Sequence, residues 1–188
     1  MPNAINAQQI QQIAQDYQTP CWAYDAAMIR AQIAQLRQFD VIRFAQKSCS
    51  NIHILSLMRE QGVLVDSVSL GEVERALVAG FDPTTKHEHA PIVFTADLLD
   101  RATLARVVEL DIQVNCGSPQ MLEQLGQANP GHPVWLRINP GFGHGHSRKT
   151  NTGGEQSKHG IWHEELPQAY ALIQQYGLRL VGLHMHIG

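Results

Sequence analysis

An α/β fold built on a parallel sheet is what this sequence predicts, on three observations. Apolar strand-like runs recur six times, each followed by a stretch with helical spacing. The runs are apolar nearly throughout, the pattern of strands covered by helices on the sheet's faces. Short turns join the units, so successive strands lie parallel with right-handed crossovers. Two architectures fit six such units: an open doubly wound sheet, or six of the eight units of a (β/α)₈ barrel. In either, chemistry sits at the carboxyl ends of the strands.

The elements follow in order. Ala7–Tyr17 carries Ile10, Ile13 and Tyr17 at helical spacing, and Thr19-Pro20 ends it, since the residue before proline is pushed out of the α region. Cys21–Tyr24 reads as a short strand, and a helix follows with Ile29, Ile33 and Leu36 on one face. The strand runs then begin near Val41, Val63, Ile92, Ile112, Val134 and Leu180. Between them Ser118-Pro119 reads as an N-cap with proline at the first helical position, and Ser69-Leu70-Gly71-Glu72 has capping-box spacing. Gly80, Gly126 and Gly177 each follow an apolar helical run, where a left-handed C-terminal residue is expected. From Asn139 to Gly160 the rhythm breaks: about twenty residues rich in Gly, His, Ser and Thr carry no apolar period, as a functional or unstructured loop does.

Composition narrows the function classes. The 188 residues are 44% hydrophobic and 16% charged with a net charge of -3, an ordinary globular balance with no basic patch for nucleic acid. No run approaches the roughly 18 apolar residues a membrane span needs, and the N-terminus shows neither the basic nor the apolar region of an export signal. Three widely spaced cysteines, Cys21, Cys49 and Cys116, form no disulfide framework, which points to a reducing cytoplasm. Cys49 reads as a small core residue.

Polar residues at strand ends are the candidates for chemistry. Lys47 closes the run Val41–Gln46. A partly desolvated amine at the mouth of a sheet is a nucleophile toward aldehydes; a solvated strand-end lysine is the plain alternative. Asp66 lies inside an apolar strand, where a carboxylate is costly unless paired, and Lys47 on the neighbouring strand could pair it. Glu72 could also face the site, although the capping box accounts for it alone. Arg137, in Val134–Asn139, needs an acceptor: a carboxylate, a phenolate or a phosphate. His184 and His186 alternate on the last strand, and His144 and His146 repeat the spacing in the loop. Two His-x-His pairs suggest zinc, and with it a metal-dependent barrel hydrolase; an imidazole can equally lie against an aromatic cofactor.

Taken together these segments resemble a known group. Phe44–Asn51 (FAQKSCSN) is similar to the cofactor-lysine motif of the alanine-racemase-like, or ornithine-decarboxylase-like, pyridoxal-phosphate enzymes. Val65–Glu72 (VDSVSLGE), Arg137–Gly141 (RINPG), Ser157–Ile161 (SKHGI) and His184–Gly188 (HMHIG) follow in that group's order. The wording of Asn139–Trp162 is closest to the branch that decarboxylates meso-2,6-diaminopimelate. The resemblance implies a TIM barrel of the fold-type III kind, incomplete, with about six of its eight βα units within residues 26–188. Residues 1–25 would pack with a C-terminal β-domain that the chain lacks. It implies that Lys47 carries pyridoxal 5'-phosphate covalently, with Asp66 close by, Arg137 near the ring hydroxyl and His186 against the ring. That use of the histidine-rich strand displaces the zinc alternative. His159 departs from the group's more usual phenylalanine. The implied activity is conversion of meso-diaminopimelate to L-lysine by a cytoplasmic homodimer, with this chain inactive alone. Another decarboxylase or a racemase of the same group is the alternative.

Overall fold

The structure, a computed structural model, describes residues 5–84, 88–143, 153–155 and 157–186. Two helices lead in. The first, α1 (Ala7–Tyr17), is closed by a capping box in which Asn6 and Gln9 exchange side-chain to backbone bonds, and it buries none of its residues. The second, α2 (Ala26–Gln35), is capped by Asp25 and buries Ile33. Leu36 sits at its C-cap and stays 43% exposed, so the expected apolar face is shorter than its spacing suggested.

The sheet then forms from β1 (Arg43–Ala45), β2 (Leu64–Ser67), β3 (Ile92–Phe94), β4 (Gln113–Cys116), β5 (Pro133–Asn139), β6 (Ile161–Trp162) and β7 (Arg179–His184). Between them lie α3 (Ile52–Glu60), α4 (Leu70–Val78), α5 (Arg101–Glu109), α6 (Pro119–Ala128) and α7 (Leu166–Tyr176). The strands run in chain order from β1 to β6, β7 joins β5, and every pairing is parallel. All six strand runs read from the sequence are therefore present, and β6 is a short seventh that the apolar pattern did not reveal.

Alternate residues of each strand face opposite ways. One set packs under the helices: Val65, Ile92, Val114 and Val134 are fully buried and meet Leu55, Val73, Val107, Leu122 and Leu125 from the helices. The other set, Arg43, Asp66, Asn115 and Arg137 among it, looks toward the concave side, where the cavities lie. The helix signals hold locally. Ser69 and Ser118 cap α4 and α6, although the Glu72 carboxylate takes the Val68 N–H rather than that of Ser69. Gly80 and Gly177 have the positive φ that ends a helix.

Two expectations fail. Gly126 does not end a helix: α6 runs on to Ala128, and the glycine is buried where an added Cβ would lie 2.2 Å from Tyr176 Cγ. Close approach of α6 to α7, not a left-handed turn, is what needs a glycine there. Cys21–Tyr24 forms no strand, and Trp22 is 91% exposed. A strand needs a ladder partner, and the described residues supply none at this segment.

Candidate functional site

The carboxyl ends of the strands surround an open cavity of about 870 Å³. Lys47, Asp66, Arg137 and His186, the four site residues expected from sequence, all line it. A separate groove of about 560 Å³ near Tyr24, His53 and Glu60 lacks any comparable gathering of charge.

Lys47 lies in the 3-10 turn Gln46–Ser48 that directly follows β1, and it is exposed to the cavity. The turn is fastened from beneath. Gln46 is fully buried; its amide donates to Ser67 Oγ at 2.7 Å and accepts from Ser50 Oγ at 3.1 Å. Ser48 Oγ returns a bond to the Ala45 carbonyl. The amine is thus carried on a backbone held to β2, and a short polar turn is all that separates it from the sheet.

Asp66 stands beside that turn because β1 and β2 pair Ala45 with Asp66. Burial pushes its carboxyl above the ordinary aspartate value. The hydrogen bond from Thr95 Oγ1 to Asp66 Oδ1, 2.6 Å long, works against that shift, as do the Arg43 and Lys47 charges; Glu72 adds to it. Arg43 is itself pulled down to about 10 by burial, partly offset by Asp66, and stays a cation at neutral pH.

Arg137 does find the acceptor its position demands: Nη1 lies 3.9 Å from Asp97 Oδ1. The other oxygen of Asp97 accepts from His159 Nδ1 at 2.5 Å. One carboxylate after β3 therefore ties β5 to the segment that precedes β6. Asn139 makes a second tie there. Its side chain accepts from Gly141 N and Gly154 N and donates to the Gly154 carbonyl, joining both described ends of the Gly-rich segment. Gly160, at φ 82, lets this backbone come close: an added Cβ would lie 3.0 Å from Asn139 N and 3.1 Å from the Arg137 carbonyl oxygen.

His184 and His186 both border the cavity. His184 Nδ1 lies 2.6 Å from Asn115 Nδ2, and with the amide nitrogen facing it that ring nitrogen is the acceptor. Burial pushes His184 down to about 4, with the Arg137 and His186 charges adding to the shift. Among the described residues no group of three or more His, Cys, Asp or Glu is placed to hold a metal ion; His144 and His146 lie outside them. Cys49 is partly buried against the core with its sulfur 3.7 Å from Tyr24 Oη. Burial raises the Cys116 thiol well above its usual range, so it stays protonated.

Sequence inspection did not single out Gln46, Thr95, Asp97 or Asn115. Asn115 carried a signal of the same kind as Asp66, a polar residue in an apolar strand. The other three sit at strand ends, where polar residues are common. Chemically, the rim offers the Lys47 amine beside a carboxylate, a second amine at Lys158, a guanidinium facing Asp97, and the imidazoles of His159, His184 and His186. That set can bond a carbonyl at Lys47, compensate charge around a bound anion, and shuttle a proton.

The whole barrel portion, residues 26–188, matches the family model described as pyridoxal-dependent decarboxylase, pyridoxal binding domain. Relatives bearing the name diaminopimelate decarboxylase include one from Streptomyces coelicolor, 67% identical over 188 residues, and one from Escherichia coli K12, 65% identical over 184 residues. The alignments cover 100% and 98% of this chain but 42% and 43% of those proteins. A crystal structure of diaminopimelate decarboxylase, 66% identical, superposes with a TM-score of 0.92 over 97% of this chain and 43% of its own. The Helicobacter pylori structure complexed with L-lysine, 27% identical, superposes at 0.85 over 95% and 47%. The fold is accordingly the α/β barrel of these proteins, of which this chain spans less than half the length.

Proposed function

Since the chain belongs to the pyridoxal-dependent decarboxylases through their pyridoxal-binding domain, we propose that Lys47 holds pyridoxal 5'-phosphate and that the enzyme converts meso-diaminopimelate to L-lysine. The observation that carries this is the convergence of Lys47, Asp66, Arg137 and His186 on one cavity at the carboxyl ends of parallel strands.

The residues present fit the group. An aldehyde cofactor needs an amine, and Lys47 supplies one. Asp66 supplies a negative charge next to it, and Arg137 and Lys158 supply cations on the same cavity for anionic substituents. The flat imidazole of His186 suits an aromatic ring. Bound there, the cofactor acts as an electron sink for the pair left behind when a carboxylate departs. The protein's part is to bind, orient and move protons. Gln46 and Ser67 keep the Lys47 turn in place. Asp97 holds Arg137 on the cavity side of β5. Lys47 would hold the cofactor through its amine, and its Nζ, open to the cavity, could also carry a proton to a substrate bound there.

The choice of diaminopimelate rests on the 67% and 65% identical relatives of that name and on the shared wording of the segment from Asn139 to Trp162. The same reading makes the enzyme a cytoplasmic homodimer, and the sparse, unpaired cysteines suit a reducing compartment. It also makes residues 26–188 the cofactor-binding part of the barrel. Residues 1–25 pack with a further β-domain, in keeping with an α1 that buries nothing. Purified enzyme offered meso-diaminopimelate, ornithine, arginine and lysine separately should release carbon dioxide from the first at least roughly tenfold faster. Preferential turnover of ornithine or arginine would move the assignment to another decarboxylase of the group.

A further inference from the structure

Beneath the main cavity lies a smaller one of about 230 Å³, lined by Asp66, Thr95, Asn115 and His184 among others. These four residues come from β2, the residue after β3, β4 and β7, and they form one hydrogen-bonded chain. Asn115 Nδ2 donates to His184 Nδ1 at 2.6 Å and to Thr95 Oγ1 at 3.3 Å, and Thr95 Oγ1 donates to Asp66 Oδ1 at 2.6 Å.

The direction of that chain is fixed by counting protons. Both N–H groups of the Asn115 amide are used, and its Oδ1 is buried without a partner in the described structure. A flipped amide would turn its oxygen toward Thr95 and His184 but would leave both N–H groups at the position where Oδ1 now finds no partner, a larger loss than the one orphan acceptor. The flipped amide would then compete for the single hydroxyl proton of Thr95, which Asp66 now receives. The observed orientation leaves one orphan oxygen, occupies Thr95 Oγ1 as an acceptor and so commits the Thr95 proton to the carboxylate. Asp66 gains from that commitment, because its partial burial in the sheet strips away part of its hydration.

We propose that Thr95 and Asn115 are positioning residues that aim the Asp66 carboxylate at the Lys47 site and keep it ionised. The proposal rests on the cofactor reading only for what Asp66 then serves. The charged and titratable groups around Asp66 are Arg43 from β1, Lys47 from the turn after it, Glu72 from α4 and, across the small cavity, His184 from β7. Thr95 is the neutral donor among its neighbours, and Asn115 orients it. Arg43 and Lys47 favour the anion and Glu72 opposes it, and none of the three charges is altered by changing Thr95 or Asn115.

The test is the titration of Asp66 in the chain labelled at aspartate Cγ, followed by carbon NMR and assigned by loss of its signal in Asp66→Asn. Thr95→Val should raise the Asp66 midpoint by about one pH unit, the worth of one hydrogen bond to a carboxylate. Asn115→Leu, which frees the Thr95 hydroxyl to turn, should raise it by about half as much. Thr95→Ser should restore the wild-type midpoint, which a purely space-filling role for Thr95 would not predict. Should Thr95→Val fail to fold, Asn115→Leu and Thr95→Ser carry the test. An Asp66 midpoint unmoved by Asn115→Leu, or raised by Thr95→Ser as much as by Thr95→Val, overturns the proposal. Borohydride trapping of pyridoxal phosphate on Lys47 in the wild-type chain separates the two readings. Trapping without a midpoint shift removes the relay alone, and a shift without trapping removes the cofactor assignment alone.

Discussion

Adjacent residues of the same strands live in two different environments. Val65, Val114 and Leu136 face the helices and are buried; Asp66, Asn115 and Arg137, one position along each strand, face the cavity. The first set is held by apolar area and close packing, which tolerate no polar atom. The second is held by a few directed bonds, Thr95 to Asp66 and Asn115 to His184, and by the looser Asp97–Arg137 ion pair at 3.9 Å. Stability and chemistry are thus divided by strand register, and a one-residue change of position moves a substitution from one regime to the other.

The sharpest way to break this comparison is to exchange character across one peptide bond. Val114→Asp puts an unpaired carboxylate among Leu122, Leu125 and Val134 and should cost about 3–5 kcal/mol in urea unfolding. Asn115→Val, its neighbour, removes the amide N–H bonds to His184 and Thr95 along with an oxygen that has no partner among the described residues, and should cost about 1–2 kcal/mol. Equal losses at the two positions would show that the division by face is not real. A smaller effect tests the helix layer. Gly126→Ala forces a methyl into the Tyr176 ring and should destabilise by about 1–3 kcal/mol, whereas helix propensity alone would make the change favourable.

The smallest effect comes from the cavity face and is read against pH. Burial depresses His184 to about 4 and also lowers His132, which is buried against the Ile112 carbonyl. Their folded forms stay neutral while the unfolded chain takes up protons near the usual histidine value. The stability His184 lends is present above about 6.5 and is lost as pH falls from there toward 4, and His132 acts in the same direction. For His184, which is partly exposed, this amounts to about 1–2 kcal/mol. Unfolding midpoints measured across that window should fall less steeply in His184→Gln than in the wild type; parallel curves would place the titration elsewhere.

Much of this was legible in the sequence, and the exceptions share a cause. All six apolar runs became strands; their signature comes from the helix-facing positions and, in β7, from apolar residues that stay exposed. Lys47, Asp66, Arg137 and His186, which all border the same cavity, were expected from motif wording and strand-end position. Thr95, Asp97 and Asn115 were not, because their meaning lies in which strands pair and in what register, and a single sequence does not state that. The two-residue strand Ile161–Trp162 has too few positions to show a period. Gly126 was misread because a glycine after an apolar helical run signals either a helix end or a close helix contact, and only the position of Tyr176 decides. Cys21–Tyr24 has strand-like residues, yet a strand is a pairing and not a composition.

The account turns on the Lys47 amine as the point of cofactor attachment. Incubation with pyridoxal phosphate, reduction with borohydride and peptide mass spectrometry should find the reduced pyridoxyl group on Lys47, and Lys47→Ala should abolish it. Label retained in Lys47→Ala at the wild-type level, or carried in the wild type chiefly by Lys158, would contradict it.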